Sequence, residues 1–306
     1  MGRLLVVGES LVDVVHRVDG TVERHPGGSP LNVAVGLARL GHDVSFATRF
    51  APDSNGRLIR EYLAGERRLQ LAPGSDQAQH TSVAEAYLDQ NGAAHYLFDL
   101  DWDVADALDD LPVGHLHTGS IAATLSPGAE DVLRLARRVA HQGTISYDPN
   151  MRPSIMGDAA RVRSRVMDLV GLSDVVKASD EDVNWLYPDH PAERAVAEWA
   201  RLGPSLIVIT RGPAGADCLV TGTGETALIP SGTSPVVDTG GAGDSFMSGL
   251  LAGLLDLGFL GDAAARRRLR AARLADLQPA LDLAGTCAAV TVSRAGANPP
   301  TRAEVS

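Results

Sequence analysis

The chain of 306 residues holds one lysine, Lys177, and two cysteines, Cys218 and Cys287. Each scarcity excludes something. A Walker-type phosphate loop needs Gly-Lys-Ser/Thr, and Lys177 stands in Val176-Lys177-Ala178, so P-loop nucleotide hydrolases are ruled out. No protein-kinase catalytic loop follows that lysine either. Phosphate chemistry therefore leans on backbone amides, arginine and a metal. Two cysteines give neither a disulfide framework nor a metal spacing. No apolar run is long enough to span a bilayer. Positive charge is also short: the net charge of -11 disfavours nucleic acid and anionic membranes as partners. An anionic substrate must then be captured by local geometry, against the overall field. Nothing ahead of the strand-like Arg3–Val7 has the make-up of a signal peptide, so cytoplasm is the expected compartment. No internal repeat and no linker divides the chain. A hydrophobic content of 44% and this length suit one large α/β domain, 1–306.

The stretch that organises what is present is Asp238-Thr239-Gly240-Gly241-Ala242-Gly243-Asp244-Ser245-Phe246. Pro235-Val236-Val237 ahead of it reads as a strand end. Phe246, Leu250 and Leu254 behind it recur at helical spacing, which predicts a buried helix. A glycine-rich turn thus feeds a helix N-terminus, where unpaired amides and the macrodipole favour an anion such as phosphate. Asp244 runs against pure anion binding, since a carboxylate repels a phosphate beside it. It makes sense as the base that takes a proton from a hydroxyl attacking the phosphate. The plainer reading is an aspartate that complements the helix dipole.

Earlier in the chain, Gly8-Glu9 ends a first parallel strand, and Leu11 to Val15 is apolar except for Asp13. Asp13 is a turn residue or a ligand. His25-Pro26-Gly27-Gly28-Ser29-Pro30-Leu31-Asn32 leads into a helix through Val33, Leu37 and Leu40 that stops at Gly41. Asn32 in its first turn can donate to and accept from a polyol, or simply sit at a helix start. Asp43–Thr48 predicts a strand and Asn55–Leu63 a helix, with the turn cluster Ala51 to Gly56 between. Thr81–Leu88 and Ala93–Phe98 flank Asp89-Gln90-Asn91-Gly92, a hairpin signal that suggests an inserted flap. His115 and His117 share one face of a short strand and read as structural, without ligands at metal spacing.

From there strands and helices alternate. Asp148-Pro149-Asn150-Met151-Arg152 closes a strand at its carboxyl end, where open α/β sheets bind ligands. Arg152 is a candidate for a phosphate or for holding Asp148. Val175–Lys177 is a strand, and Ser179-Asp180-Glu181-Asp182 opens a helix, as caps or as the outer shell of a metal-nucleotide. Leu206–Ile209 ends in Thr210-Arg211-Gly212, whose glycine admits a nucleotide or makes a tight turn. Cys218–Val220 and Thr226–Leu228 form a hairpin-like pair. Helices are expected over Asp262–Leu274 and Pro279–Val292, with Arg266-Arg267-Arg268 on a solvated face.

The order of Gly27-Gly28-Ser29-Pro30-Leu31-Asn32 and, far downstream, Asp238 to Asp244 resembles the PfkB/ribokinase family of carbohydrate kinases across the whole chain. The resemblance implies a ribokinase-like three-layer αβα fold with a mostly parallel central sheet and a small β-strand lid, here inserted at about 10–26 and 75–112. It implies transfer of the ATP γ-phosphate to a sugar hydroxyl with Mg2+, and in many relatives K+ near Asp238 and Gly296. Asp244 is then the base, and the amides of Gly241, Ala242 and Gly243 the anion hole. Asp13, Gly28, Asn32 and Arg152 fall to the sugar, Thr210, Gly212 and Lys177 to the nucleotide, Asp182 and Glu181 to the metal. Three positions depart from the family pattern: Gly240, Ala51, and Ser179-Asp180-Glu181-Asp182 in place of Asn-x-x-Glu.

Within the family the motifs look most like bacterial fructokinases. 2-Keto-3-deoxygluconate kinase, ribokinase and nucleoside kinases share the scaffold, and a keto acid would call for a cation such as Arg152 or Arg49. A non-catalytic sugar sensor is the expectation from another class, and Asp244 argues against it. A magnesium-dependent glycosidase-like hydrolase fits badly, because no carboxylate pair falls at neighbouring strand ends without belonging to the kinase pattern. The partners expected are a sugar and ATP, with a homodimer through the lid.

Overall fold

The computed structural model describes residues 3–88, 94–104, 108, 111–232 and 235–306. The expected turn Asp89-Gln90-Asn91-Gly92 lies outside the described residues. The first strands are β1 (Arg3–Val7), β2 (Leu11–His16), β3 (Val22–Gly27), β4 (Val44–Ala47) and β5 (Leu69–Leu71). Next come β6 (Val83–Leu88), β7 (Ala94–Asp99), β8 (Val113–Gly119) and β9 (Thr144–Asp148). The last are β10 (Val175–Ser179), β11 (Leu206–Thr210), β12 (Ala216–Val220) and β13 (Glu225–Ile229). The helices begin with α1 (Ser29–Arg39), α2 (Ser54–Ala64), α3 (Gly128–Val139), α4 (Pro153–Met156) and α5 (Ala159–Leu172). They continue with α6 (Asp180–Leu186), α7 (Ala192–Ala200), α8 (Ala242–Asp256), α9 (Ala263–Ala271) and α10 (Leu274–Val292).

The larger sheet runs β13-β12-β11-β10-β9-β8-β1-β4-β5, parallel except for the β11-β12-β13 edge. Its central strands are buried on both faces because helices cover both. One core joins Leu4, Val6, Val175 and Val208 to α1, α8 and α10; the other joins Leu5, Leu116, Ile145 and Ile207 to α3, α5 and α7. The result is the expected three-layer α/β architecture. Strand order reverses between β1 and β8, and a crevice opens beyond the carboxyl ends of strands at such a point. A smaller sheet, β3-β2-β6-β7, stands apart from the first. Its Leu11 and Ala84 pack on Ile121, at the start of the segment after β8.

Two local readings change. Val236 and Val237 are not in a strand; they lie 67% and 64% exposed, and the Val237 amide donates instead to the Val292 carbonyl at the end of α10, at 2.7 Å. The helix expected from Pro279 begins at Leu274, with Pro279 inside it, and the preceding helix ends at Ala271. Asp276 accepts the Arg273 amide and so starts α10 ahead of the proline.

Under α8 the larger sheet is unexpectedly polar. His115 meets Thr144 Oγ1 at 2.8 Å and Ser146 Oγ at 3.0 Å, and His117 meets Ser146 Oγ at 2.9 Å. Burial pushes both imidazoles down to about 3, so they are neutral in the folded protein. In the unfolded chain they charge near the ordinary histidine value. Stability is thus complete above that value and falls as pH drops from about 6.5 toward 3. Near pH 4.5 each histidine should withdraw on the order of 2–3 kcal/mol. Urea unfolding at a series of pH values should show this acid limb flattened in His115→Gln and His117→Gln. Equal acid loss in all three proteins would assign it to other groups.

Candidate active site

Two helix N-termini converge on one carboxylate. The start of α8 follows from its sequence: Gly241 is the N-cap at φ 73°, a left-handed conformation natural to glycine, and a Cβ there would come within 2.5 Å of Ala297 Cβ. Phe246, Leu250 and Leu254 are buried as the helical spacing predicts. Asp244 lies in the first turn, yet its carboxylate turns across to α1. Ser29 Oγ donates to its Oδ1 at 2.6 Å, and Asn32 Nδ2 donates to its Oδ2 at 2.8 Å. The start of α1 is held just as firmly, since its N-cap Gly28 sits at φ 115° and a Cβ there would come within 2.6 Å of the Glu9 carbonyl.

The start of α8 borders a cavity of about 680 Å³ lined by Gly240 to Asp244, Lys177, Thr210, Gly212, Asp182 and Arg152. The Ala242 amide reaches the Thr239 carbonyl at a long 3.3 Å. Asp238 staples the preceding turn by accepting from the Gly240 amide at 2.8 Å and the Gly296 amide at 2.9 Å. At the other wall Lys177 Nζ donates to Asp148 Oδ2 at 2.6 Å and to the Gly243 carbonyl at 3.3 Å. Burial works against the ammonium, but Asp148, Asp244 and Asp182 outweigh it and raise Lys177 above the ordinary lysine value. Burial pushes Asp148 up to about 6, with Lys177 pulling back. Asp148 Oδ1 is buried without a hydrogen-bond partner.

Toward the smaller sheet, Asp13 projects from β2 beside His25 and Arg152. Solvent reaches it, yet the cleft walls desolvate its carboxyl and raise it above the usual aspartate range, while His25 and Arg152 draw it back. Arg152 is exposed and anchored through one nitrogen to Asn150 Oδ1 at 2.8 Å and the Met151 carbonyl at 2.9 Å. Asn150 itself lies at φ 41°, a strained conformation of the kind that gathers at functional sites. Arg49 faces Asp101 at 3.5 Å.

A sequence pattern that defines the family described as "pfkB family carbohydrate kinase" matches residues 1–304. The chain belongs to this family of carbohydrate kinases. It is 33% identical to a fructokinase of Klebsiella pneumoniae over 304 residues, 97% of this chain and 95% of that one. The fold of this pfkB-family chain is similar to a fructokinase of Xylella fastidiosa with bound ATP, at TM-score 0.84 and 25% identity over 99% and 96% of the two chains. It is also similar to a fructokinase double mutant of Vibrio cholerae in a fructose-, ADP- and potassium-bound form, at TM-score 0.78 and 25% identity over 97% and 94%.

For this carbohydrate kinase the remaining expected residues divide. Thr210 ends β11 and Gly212 lies two residues beyond it; both line the cavity, as does Lys177 from β10. Asp182 has both oxygens engaged, Oδ1 by the Met151 amide at 2.6 Å and Oδ2 by the Ser179 amide at 2.9 Å. It completes a capping box with Ser179, while Glu181 is exposed. Among the described residues no group of three or more His, Cys, Asp or Glu could hold a metal ion. Among the same described residues, Glu181 and Asp182 are carboxylates that border the cavity. Asp53 caps α2 through Gly56 and ties Thr81 to it at 2.8 Å.

Sequence reasoning gave no role to Ser29 or Glu9. Glu9 is buried, accepts from the Ala122 amide at 3.0 Å, and is pushed up to about 7 by that burial. The one sequence signal for Ser29 is its place one residue past a glycine N-cap, where its hydroxyl is free of the usual capping duty.

Proposed function

We propose that this carbohydrate kinase is an ATP-dependent fructokinase. The observation that carries the reading is the Asp244 carboxylate, held at the meeting of two helix N-termini beside the amides of Gly241, Ala242 and Gly243. In this reading Asp244 takes the proton of the attacking sugar hydroxyl. That oxygen bonds the γ-phosphorus as the bond to the β–γ bridging oxygen breaks, and ADP leaves. The amides and the α8 dipole hold the equatorial oxygens of the transferred group, where preorganised donors contribute most. Asp13, Gly28, Asn32 and Arg152 contact the sugar, with the smaller sheet as the lid over it. Thr210, Gly212 and Lys177 contact the nucleotide.

When bound with the nucleotide, Mg2+ would supply neutralisation of phosphate charge. Glu181 and Asp182 are its outer-shell candidates, and Asp182 in that role also keeps α6 capped. A monovalent cation such as K+ is proposed beside Asp238 and the Gly296 segment that Asp238 joins. A homodimer through the smaller sheets is proposed as well.

The test is ATP-dependent ADP release with Mg2+ on D-fructose, D-ribose, 2-keto-3-deoxygluconate and adenosine. Fructose is expected to give the highest kcat/KM. Turnover on another member would keep the phosphoryl transfer and overturn the sugar. Fructose binding without ADP release on any member would favour a sensor.

A further inference from the structure

We propose that Ser29 is a positioning residue for phosphoryl transfer, acting through Asp244. The inference rests on Asp244 being the base. A serine at a helix start ordinarily accepts from the helix's own amides. Here the N-cap is Gly28, no side chain caps α1, and the Ser29 hydroxyl donates instead to Asp244 Oδ1 at 2.6 Å. The bond joins residues 215 positions apart and is buried, so no local folding rule calls for it.

The geometry leaves Ser29 little freedom. Gly28 is fixed against the Glu9 carbonyl, and Pro30 packs against Gly8, so the first turn of α1 is pinned on both sides of Ser29. Asn32, one helical turn on, takes the other carboxylate oxygen. Two donors from one rigid turn thus fix the plane of the carboxylate. A base fixed in this way meets the acceptor hydroxyl without first being oriented, which is where preorganisation acts on turnover. Ser29 and Asn32 then differ in kind. Asn32 has donor and acceptor atoms left for the sugar, whereas the Ser29 hydroxyl hydrogen is committed to Asp244.

The experiment is a double-mutant cycle of Ser29→Ala and Asp244→Ala, read as kcat and KM for D-fructose and for ATP. The smaller side chain fits without clash. Losing one hydrogen bond to a charged group should lower kcat about 10–100-fold in Ser29→Ala, with both KM values within about threefold. In the Asp244→Ala background the same substitution should change the residual kcat less than about twofold, because the group it acts through is gone. A wild-type kcat in Ser29→Ala would overturn the inference. So would a loss of equal size in both backgrounds, or a raised fructose KM with kcat kept, which would make Ser29 a sugar contact. Wild-type turnover in Asp244→Ala alone would sink the base reading, and this inference with it.

Discussion

Replacing Asp244 by alanine is expected to slow ADP release with fructose about 10²–10⁴-fold while fructose still binds. That range is what a positioned base contributes to proton transfer. Asparagine alters the contacts as well as the charge: with its Oδ1 kept toward Asn32 Nδ2, its amide nitrogen meets Ser29 Oγ, which must turn from donor to acceptor. Alanine leaves those two donors unpaired and should itself cost about 1–3 kcal/mol of stability. The assay therefore needs thermal unfolding and fructose calorimetry beside it. A folded, fructose-binding variant within tenfold of wild-type turnover would remove Asp244 from the chemistry. Loss of fructose binding would instead make it a substrate contact.

The second large effect is on the fold. Lys177→Met should lower the free energy of unfolding near neutral pH by about 3–5 kcal/mol, because it leaves Asp148 as a buried, uncompensated carboxylate. The methionine fills similar space, so the loss comes from charge rather than a void. Asp148 is already pushed up to about 6 with its partner present, and without it rises further. A carboxyl whose folded value is raised binds protons more readily folded than unfolded. The variant should therefore regain stability relative to wild type as pH falls through that raised value to about 6, where Asp148 titrates with its partner present. Urea unfolding at pH 8, 7 and 5.5 reads this, and Lys177→Met/Asp148→Asn should recover most of the loss at pH 8. A deficit below about 1 kcal/mol, or one independent of pH, would mean that solvent already screens the pair. Turnover should fall in Lys177→Met as well, since the ammonium also holds the Gly243 carbonyl in the first turn of α8.

Much of this was legible in the residues alone, and particular elements show why. The helix behind Gly241 rests on Phe246, Leu250 and Leu254, which repeat within one element, and the glycine-rich turn before it marks a helix start by local chemistry. Alternation of apolar strands with amphipathic helices specified an α/β sheet, and two motifs in the right order specified the family. Local signals failed where pairing was needed. Val236 and Val237 have strand character but lie exposed, with the Val237 amide bonded to the end of α10, and Pro279 marks a helix start that Arg273 and Asp276 place earlier. The acidic run at Asp180 could be read as caps or as metal ligands, and the Asp182 hydrogen bonds to Met151 and Ser179 are visible only in three dimensions.

By itself, then, the sequence determined most of the elements and the carboxylate at the start of α8, which depend on residues a few positions apart, and the family, which depends on two short motifs in order. Only the tertiary structure decided that Ser29 and Asn32 grip that carboxylate and that the single lysine is shared between Asp148 and Gly243. Those contacts span up to 215 residues, and no periodicity records them. They exist because the sheet order brings β9, β10 and the starts of α1 and α8 to one end of the molecule, where buried charged groups must find partners.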